Sequence, residues 1–161
     1  MAHWTDLLLD AAPIRAIFGD APPSLRGVDL HEVVVSWDGP SVSLRLDTAE
    51  FPASPPPKWA KLNTVQLTLY ASGVETMSMS DVIPREGPVD VDIRREPLPA
   101  SEPLRSEGLQ YTAAGLKPPP RPRSLIHLAV LAGPDPILKL EAHVLFLQKI
   151  SAYLDDPRAA P

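Results

Sequence analysis

The chain contains no cysteine. That excludes a disulfide scaffold, a cysteine-ligated zinc site and a thiol nucleophile, and it suits a reducing compartment. Glycine is sparse: the 8 glycines are scattered singly, so no glycine-rich loop is available to cradle a phosphate. No serine occupies a Gly-x-Ser-x-Gly elbow. No apolar run approaches the ~18 residues of a membrane span. The opening Met1-Ala2-His3-Trp4-Thr5-Asp6 lacks the basic-then-apolar pattern of a signal peptide. The expectation is a cytoplasmic protein without a membrane partner. Positive charge is also scarce, with 15 Lys and Arg against 20 Asp and Glu, a net charge of -5. Phosphate backbones are bound by clustered positive charge, so nucleic acid is disfavoured as a partner. A basic protein surface would instead be drawn to this chain.

What is abundant is proline, 21 residues of 161, well above the usual ~5%. The prolines gather at 22–23, 52–57, 97–103 and 118–122, and β-like runs lie between the clusters. Proline between strands marks ordered loops of an all-β domain. Apolar residues make up 44% of the chain, and a chain of this length buries roughly 70% of its unfolded surface without a metal or disulfide. The reading is one domain over residues 1–154 and a frayed tail over 155–161.

Residues 4–18 read as helix, because Trp4, Leu7, Leu8, Ala11 and Ile14 fall near i, i+3, i+4, i+7 spacing. Thr5 or Asp6 is the expected cap. Pro13 should kink the segment or restart it, and Gly19 suits the left-handed position that ends it. Residues 30–37 are a β-branched strand, and Asp38-Gly39 signals a hairpin. Val42, Leu44 and Leu46 then alternate with polar residues, as do Val65, Leu67, Leu69 and Ala71. Ser72-Gly73 reads as a turn, with residues 74–79 returning. Val89, Val91 and Ile93 alternate with Asp90, Asp92 and Arg94. A short strand over 109–112 and a basic loop over 117–123 follow. Residues 125–131, apolar on both faces, suit a central strand. Residues 137–154 serve either strand or helix; strand to about Gln148 is the reading taken. The fold expected is mainly β, an antiparallel sandwich or strongly curved sheet with an N-terminal helix.

One ordered series stands out. Trp4 opens the helix, Ile17-Phe18-Gly19 closes it and Pro22-Pro23-Ser24-Leu25 follows. After the hairpin come Phe51-Pro52, Pro55-Pro56-Pro57-Lys58-Trp59 and Asn63-Thr64-Val65-Gln66-Leu67, with Ile150-Ser151-Ala152-Tyr153 near the end. In this series the chain resembles bacterial immunity proteins of polymorphic toxin systems, in particular the immunity protein 50 family. The resemblance runs over residues 4–80 and the last strand. It implies a protein that neutralises a cognate toxin domain by tight binding and performs no chemistry.

The residues themselves offer few rivals to that expectation. His127 and His143, with Glu141 nearby, could hold a metal if neighbouring strands brought them together, but no short metal-binding motif accompanies them. They read as ordinary strand histidines, and no metal or cofactor is expected. Asp90 and Asp92 share a strand face, with Glu86 just before them. Paired carboxylates serve acid–base chemistry or guard a sheet edge. Here the second reading is preferred, and the strand is the first choice of contact for a basic toxin. Trp4 and Trp59 read as core. Trp37, beside the hairpin turn, is as suited to a binding hot spot as to burial. Trp37, Glu86, Asp90 and Asp92 are therefore the expected partner contacts, with no catalytic residues. A small-molecule or carbohydrate-binding β-domain with weak hydrolase activity is the alternative, resting on Trp37 and the Asp90/Asp92 pair.

Overall fold

A computed structural model describes residues 3–80, 87–98 and 124–156 of the chain. The first element is a 3-10 turn, Trp4–Leu7, capped by His3: the imidazole Nδ1 accepts from the Thr5 amide, and the Asp6 carboxylate accepts from the His3 amide at 2.9 Å. The cap thus lies two residues before Thr5 and three before Asp6, the residues expected to cap it. Helix α1, Ala12–Phe18, restarts the chain with proline at its first turn, where a missing N–H costs nothing.

Six strands follow: β1 (Asp29–Ser36), β2 (Ser41–Asp47), β3 (Thr64–Met79), β4 (Asp90–Pro97), β5 (Ser124–Leu131) and β6 (Pro136–Tyr153). They form one antiparallel sheet in the order β1-β2-β3-β6-β5-β4. Laid flat, five spacings of ~4.8 Å would separate the edge strands by about 24 Å. Yet Val28, just before β1, and Val89, just before β4, exchange amide bonds of 2.9 and 2.8 Å. The sheet therefore curls until its two edges touch at one end. Of the two architectures expected, a single strongly curved sheet is the one adopted, open rather than closed into a barrel.

The inner face carries the core. Val42, Leu44, Leu46, Val65, Leu67, Leu69, Ile126, Leu128, Val130, Leu138 and Leu140 are all buried there. Ile14 of α1, fully buried, and Trp4, Leu8, Leu25 and Trp59 join the same cluster. The Trp4 indole donates to the Pro23 carbonyl at 2.9 Å, which satisfies its one polar atom inside the core. Among the described residues no buried side-chain polar atom lacks a partner.

Two sequence readings need correction. Ser72-Gly73 is not a turn: β3 runs through it for 16 residues. Gly73 has φ +65°, and Glu75 is left over where the β3–β6 register shifts between Val74 and Thr76. Glycine at positive φ serves a strand bulge as readily as a turn. A Cβ on Gly73 would lie 2.9 Å from Cγ of His143, so the glycine also makes room for that ring. The second correction is β6, which extends past Gln148 to Tyr153. Val144 and Phe146 do not continue its buried row; Leu145 does. The expected strand at 109–112 and loop at 117–123 lie outside the described residues.

Candidate functional site

The expected contact residues fall at two separate places. Trp37 follows β1 in the four-residue loop between Ser36 and Ser41, where Gly39 supplies the positive φ of 65°. Its side chain is 89% exposed. Val34 and Val35 of β1 are also exposed, 48% and 36%. β1 is the edge strand, so this apolar group sits where the sheet has a free side.

Asp90 and Asp92 lie on β4, the opposite edge. Asp90 is committed locally: it accepts from the Gly27 amide at 2.8 Å and from the Arg26 guanidinium at 3.3 Å. It thereby pins the loop entering β1 against the start of β4. Asp92 lines an open depression of about 290 Å³ on the outer face of the sheet, with Thr76, Ser78, Arg94, His127, Lys139 and Glu141. Glu86 lies outside the described residues. Asp90 is near the beginning of β1 and Trp37 beyond its end. Eight strand residues at ~3.3 Å each separate these points by roughly 25 Å. The structure does not gather the expected contacts into one patch.

The outer face also holds the histidines that the sequence singled out. His127 pairs across the strands with Glu141, not with His143. Its ring nitrogens lie 3.5 Å from Glu141 and 3.4 Å from Glu96. Glu96 also binds Arg94 at 2.9 Å, and Glu141 accepts from the Thr76 hydroxyl at 2.9 Å. His143 turns to β3 instead and meets the buried Glu75 carboxylate at 2.5 Å. The two histidines thus serve different acids. Among the described residues no group of three or more His, Asp or Glu side chains could hold a metal ion.

A third polar cluster escaped the sequence reading. Asp47 is 5% exposed, an unusual place for a carboxylate unless it is paired. Its oxygens accept from Gln66 at 3.0 Å, from the Tyr153 hydroxyl, and meet the His31 ring at 2.7 Å. The hydrogen bond to Asp47 leads the causes that push the Tyr153 hydroxyl up to about 12; burial and the charges of Asp47, Asp155 and Asp29 act in the same direction. The cluster ties β1, β2, β3 and the end of β6 together. The sequence signal was present, since Asp47 and Gln66 hold the polar phase of their strands, but their pairing was not.

None of these groups opens into an enclosed apolar chamber. Ligand pockets are usually concave volumes that bury most of a small molecule, whereas the depression beside Asp92 and a second of about 420 Å³ beside Trp4, Arg26 and Asp90 are open surface clefts. What the surface presents most plainly is the apolar β1 edge.

Comparison with known families bears on that edge. Residues 10–84 match the family model of immunity protein 50. The immunity protein 50 resemblance read from the sequence is therefore supported, over α1, β1, β2 and β3. Trp37, Val34 and Val35 fall inside the match; Trp4, Asp90, Asp92 and the last strand fall outside it. Comparison with curated proteins and with solved structures returned no match. Among the described residues no helix is long and apolar enough to cross a membrane.

Proposed function

We propose that this chain is a cytoplasmic immunity protein that neutralises a bacterial toxin domain encoded beside it, by direct binding and without chemistry of its own. The observation that carries the reading is the match to immunity protein 50 over residues 10–84. The surface supports it in kind. Trp37 stands 89% exposed on a hairpin, and tryptophan is the residue most enriched among binding hot spots. The net charge of -5 favours a basic toxin through complementary fields. Occlusion of the toxin's active site or of a surface beside it is the mechanism that such a binder performs. Trp37 and Asp92 are the proposed contacts whose side chains face solvent or an open cleft. Glu86 remains a proposed contact, and Asp90 supports the surface by holding Gly27 and Arg26 in place.

Co-expression tests this. Cells producing the neighbouring toxin domain should resume growth when this chain is supplied, and the two proteins should co-purify. Continued growth arrest with no complex would remove the proposal.

A further inference from the structure

The two edges of the sheet differ in a way that bears on how a partner is held. β4 displays Asp90, Asp92, Arg94, Arg95 and Glu96 and ends in Pro97. Charges and proline on an edge are the usual means of preventing another chain from adding to it. β1 ends in Val33-Val34-Val35-Ser36, followed by Trp37, and among the described residues no strand covers its free side. The Asp29 end of this edge is closed by the Val28–Val89 bridge; the half from Val33 onward is open.

We infer that the free side of β1 receives an extended, apolar and basic segment of the partner protein as a seventh strand; this rests on the neutralising function proposed above. Added strands are held by main-chain hydrogen bonds, with alternate side chains giving specificity. Val33 and Val35 pair with the buried Leu44 and Val42, so they lie on the inner face. Apolar residues at alternate positions of an incoming strand would continue the core beyond Val35. Val34, paired with Ser43, and Trp37 give apolar contact on the outer face and past the strand end.

The charges select the occupant. Of the four carboxylates in the hairpin from residue 29 to residue 47, Asp47 is buried against His31, Gln66 and Tyr153, and Glu32 pairs at 3.2 Å with Arg45, the hairpin's only Lys or Arg; Asp29 and Asp38 therefore set the charge of the edge. Basic residues on the incoming strand would meet Asp38 at the open end of the edge, and a cation could also lie on the Trp37 ring. A second copy of this chain is disfavoured by the same charges. In an antiparallel pairing centred on Val33 and Val34, Asp29 of one copy faces Asp38 of the other at both ends, and like charges opposite one another weaken a strand pair.

The test is amide hydrogen exchange of this full chain, alone and with an inactivated form of the neighbouring toxin domain. It is combined with binding measurements on Val34→Lys, Val34→Glu, Trp37→Ala and Asp92→Asn. Main-chain pairing should slow exchange at β1 amides that are free in the unbound chain. Val34→Lys should weaken the complex about tenfold or more, and Val34→Glu less, because the partner strand is basic. Trp37→Ala should weaken it about tenfold, and Asp92→Asn, a contact on the opposite edge, should weaken it by less than that. Trp37→Ala alters a side chain that supports nothing in the fold, so it decides the matter if a Val34 variant proves unstable. A complex that leaves β1 exchange unchanged, or one lost with Asp92→Asn alone, overturns the inference and keeps the neutralising function. Concentration-dependent protection of β1 in the chain by itself assigns the edge to a second copy and likewise overturns it. Absence of any complex removes the functional proposal on which it rests.

Discussion

Tyr153 and Gly73 are the residues whose local physics makes the sharpest demands. Tyr153 keeps its proton because its hydroxyl donates to Asp47, in a site that also resists a new negative charge beside Asp155 and Asp29. Its folded value, pushed up to about 12, lies above the ordinary 10.0. The stabilisation from this group is therefore fully present below pH 10 and is lost as pH rises through about 12. Tyrosinate absorbance should show one of the three tyrosines ionising late in wild type, and that late component should be missing in Tyr153→Phe. Resistance to urea should also fall more steeply above pH 10 in wild type than in the variant. Equal behaviour of the two proteins would contradict the assignment. At Gly73, alanine meets both a positive φ and a contact of 2.9 Å with His143. Gly73→Ala should cost about 1–3 kcal/mol of stability by denaturant titration. A neutral outcome would mean that the bulge re-forms with ordinary backbone angles. The residue scale was also where the sequence was least legible. Trp4 and Trp59 read correctly as core, yet nothing local told that His143 would find Glu75 or that Asp47 would gather three partners. Those contacts depend on strand register, which a single sequence does not display.

Elements were readable in proportion to how regular they are. β2 and the first half of β3 alternate strictly, and both were plain from the period of two. β6 was ambiguous for a definite reason. Its core-facing residues are Leu138, Leu140, Ala142, Leu145, Leu147, Ile150 and Ala152, steps of two interrupted by steps of three. The interruptions coincide with the phase change opposite Gly73 and with the register shift between Thr68 and Leu69. A row that mixes twos and threes lies between the strand period and the helical 3.6, and leucine, alanine and lysine favour helix, which is why the segment serves either reading although strand is the one taken. The N-terminal segment divides where Pro13 was expected to restart it, into a 3-10 turn and a two-turn helix. A helix of seven residues is too short to be stable by itself in water, so α1 must draw its stability from docking. Ile14, fully buried against the sheet, is the anchor. Ile14→Ala should cost about 2–5 kcal/mol and lower the thermal midpoint cooperatively, while Leu9→Ala, at an exposed position, should leave it nearly unchanged. Similar losses in both variants would contradict Ile14 as the anchor that stabilises α1.

On the scale of the whole molecule, fold class followed from alternation and turn chemistry, but strand order did not. The C-terminal strand lies at the centre of the sheet, between β3 and β5, and the chain leading into β1 reaches across to β4. Both arrangements are decided by which apolar faces fit together. The resulting shape has a filled inner face, an outer face on which His31, His127 and His143 each lie beside a carboxylate, one guarded edge and one apolar edge. The apolar edge lies within the family match over residues 10–84. A binder and a catalyst differ in stoichiometry. The decisive measurement is the residual activity of the neighbouring toxin domain as increasing amounts of this chain are added, at toxin concentrations well above the dissociation constant. Activity should fall linearly to zero at an equimolar end point and return when the complex is separated under denaturing conditions and refolded. Full loss of activity at a small fraction of one equivalent, persisting after the chain is removed, would mean that the chain acts on the toxin chemically and would contradict neutralisation by binding.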